Sequence, residues 1–211
     1  MIVDLLLHKI RAQLPWQNRQ RNWWGWSLPQ YLNYAHYRYT NDVIIKCDDD
    51  IVFIDVDQFD TFIENRRKDT KSLLAFAGII NNRVCGLNQA EQQIIPFSEE
   101  NINLVYFSVQ MCKLLHDYFV HNCDTVCAKA KMNGGPTLIV PSRKTNMINI
   151  NFIAILGKDL WAFQECWDKD EDKLSLEIPL ERRLCNYIDT SFTVSHMAFT
   201  GQRTSGYDET S

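Results

Sequence analysis

The sequence lacks any apolar stretch near the roughly 20 residues that a membrane-spanning helix needs. It also lacks a long basic run, and its net charge is −4, so it offers no concentrated positive surface for nucleic acid. Low-complexity tracts and internal repeats are absent as well. These absences argue against a membrane span, a nucleic-acid partner and a repeat architecture.

The cysteine content points to the redox setting. Seven cysteines, an odd number without a repeated spacing, argue against a disulfide framework. Residues 1–7 are apolar, but Asp4 interrupts them and no small-residue cleavage site follows, so no signal peptide is expected. We therefore expect a reduced, cytoplasmic protein. There are two alternatives. The protein could attach to the periphery of a membrane, or it could lie in another compartment as a domain of a larger enzyme.

Length and composition indicate one domain. The chain has 211 residues, of which 45% are hydrophobic, enough for a core of its own. Strand-like and helix-like patterns alternate, which predicts an α/β fold spanning residues 1–211 with a loose tail over 200–211. The predicted segments are strands at 43–47, 51–54, 73–80 and 148–156, helices at 28–39, 57–67, 101–120 and 158–167, and a loop at 81–100.

An acidic triplet, Asp48–Asp50, stands between the two predicted strands 43–47 and 51–54. Three adjacent carboxylates repel one another, and a turn between buried strands holds them only if positive charge neutralises them. Lys46 is one candidate, and a divalent cation is a better one. Mg²⁺ and Mn²⁺ favour oxygen ligands, and Mg²⁺ often binds one or two carboxylates together with substrate phosphates. The triplet therefore predicts a site for a metal ion and a diphosphate.

The segment Ile45-Lys46-Cys47-Asp48-Asp49-Asp50-Ile51-Val52-Phe53 resembles the Asp-x-Asp segment of GT-A glycosyltransferases, especially the galactosyltransferase-like enzymes. The resemblance implies a mixed central sheet flanked by helices, and transfer of a sugar from a nucleotide-diphosphate sugar to an acceptor hydroxyl. It covers about residues 20–203. Only 47 residues precede Asp48, so the nucleotide-binding front end usual in this family is expected to be truncated.

The resemblance also implies a metal shell and donor contacts. Asp48 and Asp50 would hold Mn²⁺ or Mg²⁺, and His196 in Val194-Ser195-His196 would complete the shell, as a late histidine does in many such enzymes. A lone histidine after an apolar strand is otherwise most often a packed, hydrogen-bonded residue. The predicted contacts to the donor nucleotide sugar are Lys46, Asp48, Asp49 and Arg203, and the neighbouring Gln202 could also reach the diphosphate.

The predicted catalytic base lies in the charged run 167–173. Such runs are usually solvated loops, but the related enzymes carry a late acidic element that deprotonates the acceptor hydroxyl. Asp170 is the first candidate for that base and Glu171 the second, and such a base implies inversion at the anomeric carbon. Asn149 or Asn151, at the start of a predicted strand, would lie near the sugar or the acceptor.

Other hypotheses compete with this one. The chain could be a degenerate GT-A-like module or fragment that only binds, or a compact enzyme completed by a homodimer. Asp55 and Asp57 follow a strand as in haloacid-dehalogenase-type phosphatases, but the later motifs of that family are missing. A zinc site is the weakest alternative, because the spacing of its candidate ligands is not a common zinc signature. Those candidates are Cys112, His116, His121, Cys123 and Cys127.

Overall fold

The computed structural model describes residues 37–140, 147–165 and 170–206. The six described strands are β1 Val43–Cys47, β2 Ile51–Ile54, β3 Ser72–Ile80, β4 Pro136–Ile139, β5 Phe152–Leu156 and β6 Cys185–His196. The described α-helices are α1 Val56–Lys68, α2 Arg83–Glu91, α3 Glu99–Asn103, α4 Val109–Asn133, α5 over residues 170–182, and α6 Thr200–Thr204. Segment α5 runs continuously through Asp170–Asp172, a π-helical stretch Lys173–Glu177 and Ile178–Arg182. Tyr37–Tyr39 and Gly157–Glu165 are 3₁₀ helices.

The described strands form one mixed sheet in the order β1-β5-β3-β6-β2. Strand β4 also pairs with β6, along the same edge as β2 but at the other end of β6. Strands β3 and β6 are parallel, and the other described pairs are antiparallel. Helices flank the sheet, so the α/β prediction with a mixed central sheet is confirmed. Within these residues no helix is long and apolar enough to cross a membrane.

The connection between β1 and β2 is the most informative part of the topology. These strands lie at opposite ends of the sheet order, yet only residues 48–50 separate them. Cys47 pairs with Phe152 at the start of β5, and Ile51 pairs with His196 at the end of β6. Because β5 is antiparallel and β6 parallel to β3, those two positions and the end of β3 lie at one end of the sheet. The acidic turn therefore crosses over the end of β3.

Two hydrophobic clusters hold the helices on the sheet. In the first, Phe62 of α1 lies fully buried, 4.6 Å from the ring of Phe192 and 6.2 Å from the ring of Phe152. In the second, the apolar face of α4 packs on the sheet, and its Phe119 contacts Phe53 edge-to-face at 5.0 Å. Burial of such aromatic side chains is the main stabilising term for these contacts.

Several predicted boundaries are wrong, for reasons of capping and packing. The predicted loop 81–100 contains helix α2, because the side chain of Asn82 caps the amide of Cys85 at 3.2 Å and the helix buries one face. The predicted helix 101–120 is two helices, α3 and α4, and the side chain of Ser108 caps the second. The prediction of a loose tail over 200–211 is wrong for α6, whose Gln202 is fully buried. Residues 207–211 lie outside the described residues, as does most of the predicted helix 28–39.

Candidate functional site

The backbone fixes the acidic turn at both ends. The amide of Asp48 donates to the carbonyl of Asn151 at 2.8 Å, and the amide of Met197 donates to the carbonyl of Asp50 at 2.9 Å. The turn is thereby tied to the residues before β5 and to those after β6. Below it, the side chain of Asn81 at the end of β3 donates to the carbonyl of Met197 at 3.0 Å. This places the turn at the carboxyl ends of the two parallel strands, where open α/β sheets commonly bind ligands.

Asp48 belongs to the side of the turn that faces β5. Its carboxylate accepts hydrogen bonds from the ammonium group of Lys46 and from Nδ2 of Asn151, the latter at 3.1 Å. The same ammonium group donates to the carbonyl of Ile150 at 2.7 Å. Asp48 is thus neutralised and oriented by the protein itself, with Lys46 as its cation.

Asp50 belongs to the side of the turn that faces β6. Its Oδ2 lies 3.2 Å from Nε2 of His196 and 2.8 Å from a guanidinium nitrogen of Arg203. His196 is only 2% exposed, and burial lowers its pKa, although the charge of Asp50 opposes that shift. The imidazole therefore favours the neutral form, which is the form that ligates metal ions. Its Nδ1 is buried without a hydrogen-bond partner among the described residues.

The predicted metal ligands are not arranged as one three-residue set. The described part of the chain contains no group of three or more His, Cys, Asp or Glu side chains that could hold an ion. Asp50 and His196 are in contact, whereas Asp48 is engaged with Lys46 and Asn151. The carboxylate of Asp50 is the ligand type that suits Mn²⁺ or Mg²⁺, and the neutral imidazole of His196 would add a nitrogen ligand, with substrate phosphates and water supplying the other oxygens.

The second half of the site is built around Glu171. Asn149 donates from Nδ2 to Oε1 of Glu171, and Tyr106 donates from its hydroxyl to Oδ1 of Asn149. Burial raises the pKa of Glu171 to about 7, and the charge of Asp170 adds to the rise, while Asn149 and Lys46 oppose it. A carboxyl group with a pKa near neutrality is suited to accept a proton in catalysis.

Asp170 and Glu171 differ in their surroundings. Oδ1 of Asp170 accepts a hydrogen bond from the backbone amide of Glu171 at 3.0 Å, at the start of segment α5. Glu171 instead faces the amide of Asn149 in a half-buried setting. The order of the two candidates is therefore reversed by the geometry, and Glu171 is the stronger candidate base.

Lys46 links the two halves. It bonds to Asp48 and to the carbonyl of Ile150, and its charge opposes the rise in the pKa of Glu171. Asn149 and Asn151, singled out from the sequence, flank Ile150 in the chain and bond to Glu171 and to Asp48, respectively. Together these side chains make a polar site with one fixed cation, two amide donors and a proton acceptor.

Three other predicted site residues, Asp49, Arg203 and Gln202, differ in their surroundings. Asp49 is exposed at the tip of the turn, and its contact with a donor stays a prediction. Arg203 reaches the turn, but it is paired with Asp50. Gln202 does not face a ligand, because its amide bonds to the side chain of Asn81 at 2.8 Å and to the carbonyl of Val105 at 2.5 Å.

In the part of the chain that the structure describes, the side chains proposed for a zinc site do not form a group that could hold a metal ion. Cys112 and His116 both contact the carbonyl of Met197, at 3.7 and 2.8 Å, and His121 is exposed. Asp55 and Asp57, the pair in the phosphatase hypothesis, do not face the same surroundings. Asp55 is buried at the start of α1, whereas Asp57 is exposed on its first turn.

Comparison with models of protein families, with curated proteins and with solved structures finds no match to this chain. The assignment of a function therefore depends on the geometry of the site. Tyr106 is the site residue that the sequence reasoning missed. It falls in a segment predicted as helix, among many aromatic residues, and no local pattern distinguishes it.

Proposed function

We propose that the chain is a metal-dependent glycosyltransferase of GT-A-like architecture that moves a sugar from a nucleotide-diphosphate sugar to an acceptor hydroxyl. The observation that carries the proposal is the placement of two unlike carboxylates, Asp50 and Glu171, at the same end of the sheet. Asp50 lies against a neutral histidine, and Glu171 has a pKa near 7. The carboxylate of Asp50 is suited to bind an ion that carries a diphosphate, and the carboxylate of Glu171 is suited to abstract a proton.

Asp50 and His196 would hold the Mn²⁺ or Mg²⁺ ion. When bound, the ion would neutralise the charge that develops on the departing nucleotide diphosphate. Arg203 contacts the same carboxylate at 2.8 Å, so its guanidinium is within reach of a diphosphate at that position. Asp48, oriented by Lys46 and Asn151, would accept hydrogen bonds from the ribose or the sugar.

Glu171 would take the proton of the acceptor hydroxyl. Its carboxylate is already oriented by Asn149, and its raised pKa makes it a stronger base than an exposed glutamate. A base on the acceptor side corresponds to inversion at the anomeric carbon. Asp170 remains the second candidate for this part.

A second function has its own support. Two of the three carboxylates of the turn are already neutralised by protein groups, Asp48 by Lys46 and Asp50 by Arg203. A turn with satisfied charges does not need an ion, which favours a non-catalytic module that binds a ligand or a partner. The two functions differ in whether nucleotide binding depends on a divalent ion.

The test is calorimetric titration of UDP, GDP and their sugar conjugates into the protein, first with Mn²⁺ and then with EDTA. We expect one nucleotide to bind only with the ion, and Asp50→Asn to weaken that binding by about tenfold or more, as for loss of a charged ligand. Asp60→Asn, at an exposed aspartate of α1, is the control. Nucleotide binding that is equal with Mn²⁺ and with EDTA would favour the binding module.

A further inference from the structure

Tyr106 occupies an unusual position beside the candidate base. It lies in the turn between α3 and α4, where the carbonyl of the preceding Val105 accepts a bond from Gln202 at 2.5 Å. Its ring packs edge-to-face on Phe199 at 4.8 Å, and Phe199 in turn contacts the ring of His196 at 4.4 Å. Tyr106 is therefore held by the same residues that follow β6 and frame the metal side of the site.

The hydroxyl of Tyr106 bonds to one end of the Asn149 amide, and the other end faces Glu171. Because the hydroxyl donates to Oδ1, the Nδ2 group is left to donate to the carboxylate. A flipped amide would present Oδ1 instead, and that atom can only accept, so it would match the protonated carboxyl alone. A donor facing the carboxylate favours its charged form and opposes the effect of burial.

From this geometry we infer that Tyr106 and Asn149 are positioning residues that keep Glu171 oriented and in its proton-accepting form. The inference rests on the proposed function for its catalytic meaning, but the orientation itself is a property of the folded chain. The inference thus adds two uncharged residues, Tyr106 and Asn149, to those that surround the proposed base Glu171.

Other charged and titratable groups surround this network and contribute to its titration. Asp170 and Asp172 lie on the same segment as Glu171, Lys46 faces it from β1, and Arg83 and Cys85 of α2 face Tyr106. None of these changes in the variants below, so a change in the titration of Glu171 is attributable to the two positioning residues.

The experiment compares the wild type with Tyr106→Phe and Asn149→Ala by two measurements. The first is the pKa of Glu171, followed by the ¹³C shift of its carboxyl carbon in labelled protein and assigned with Glu171→Gln. The second is the pH profile of kcat/KM for sugar transfer. We expect both variants to raise the midpoint by about one pH unit, so kcat/KM falls about tenfold at pH 6 and recovers at pH 9.

Tyr118→Phe is the matched control, since Tyr118 packs on Phe97 at 5.3 Å, and it should leave both midpoints in place. A uniform loss of kcat/KM at every pH, with an unchanged carboxyl pKa in both variants, would overturn the inference. A raised carboxyl pKa in a protein that transfers no sugar would uphold the positioning of Glu171 and refute the proposed function. The two failures are thus distinguishable.

Discussion

The raised pKa of Glu171 has a cost in stability that can be measured without any substrate. Burial moves this pKa from 4.5 to about 7, which at 1.36 kcal/mol per unit corresponds to about 3 kcal/mol. Between these two pH values the folded protein binds more protons at this group than the unfolded chain does. The contribution of Glu171 to the free energy of unfolding is therefore fully present below pH 4.5 and is lost as the pH rises through 7.

Glu171→Gln removes the titration and keeps a side chain that can accept the bond from Nδ2 of Asn149. We expect the variant and the wild type to be similarly stable at pH 5. At pH 8 the variant should be more stable by about 2–3 kcal/mol, somewhat less than the full value because the carboxyl group is only half-buried. The assay is urea unfolding at half-unit pH steps from 5 to 8.5, with the free energy extrapolated to water.

Glu181→Gln provides the matched control, because Glu181 is exposed at the end of the same helical segment. Its effect should stay within about 0.5 kcal/mol at every pH, as for most surface substitutions. A stability difference between the wild type and Glu171→Gln that does not change with pH would refute the reasoning. It would mean that Glu171 titrates alike in the folded and unfolded chains, and its assignment as the base would lose its physical support.

Two further substitutions test the framework of the site. Gln202→Leu should destabilise the fold by about 2–3 kcal/mol in urea unfolding, because it removes the hydrogen bonds that Nε2 of Gln202 donates to Oδ1 of the buried Asn81 and to the carbonyl of Val105. The same variant should also weaken metal-dependent nucleotide binding if α6 holds His196 and Arg203 in place. Asn82→Ala should cost about 1 kcal/mol by removing the cap of α2, whereas Asn88→Ala inside that helix should cost less; equal losses would contradict the capping assignment.

Local patterns predicted those parts of the fold that depend on local chemistry. Strands 43–47 and 51–54 and the helix after them are confirmed, because apolar runs and helical spacing carry that information directly. Helix α2 was missed since its polar residues, such as Asn88 and Gln89, resemble a loop composition. Gln89 is nevertheless fully buried, and burial against the sheet is a tertiary effect that the sequence pattern does not display.

The site shows the same division between local and long-range information. The acidic turn and the later acidic pair were recognisable as separate segments of the sequence. That Lys46 contacts both Asp48 and the carbonyl of Ile150 follows from the pairing of β1 with β5, which places residues 149–151 beside the turn. The hydrogen bond from Tyr106 spans 43 residues to Asn149, and no periodicity encodes a contact at that separation.

Several departures from local structural rules lie at this end of the sheet. Asn81 has a φ of 65° directly after β3, and segment α5 contains a π-helical stretch that begins two residues after Glu171. His196 buries an unpartnered Nδ1, and Glu171 keeps a carboxyl group in a half-buried setting that disfavours its charge. Each departure costs stability, and sequences tend to retain such costs where function requires them. Those at Asn81, His196 and Glu171 lie at the same end of the sheet as the acidic turn, which is where the proposed function would place its ligand.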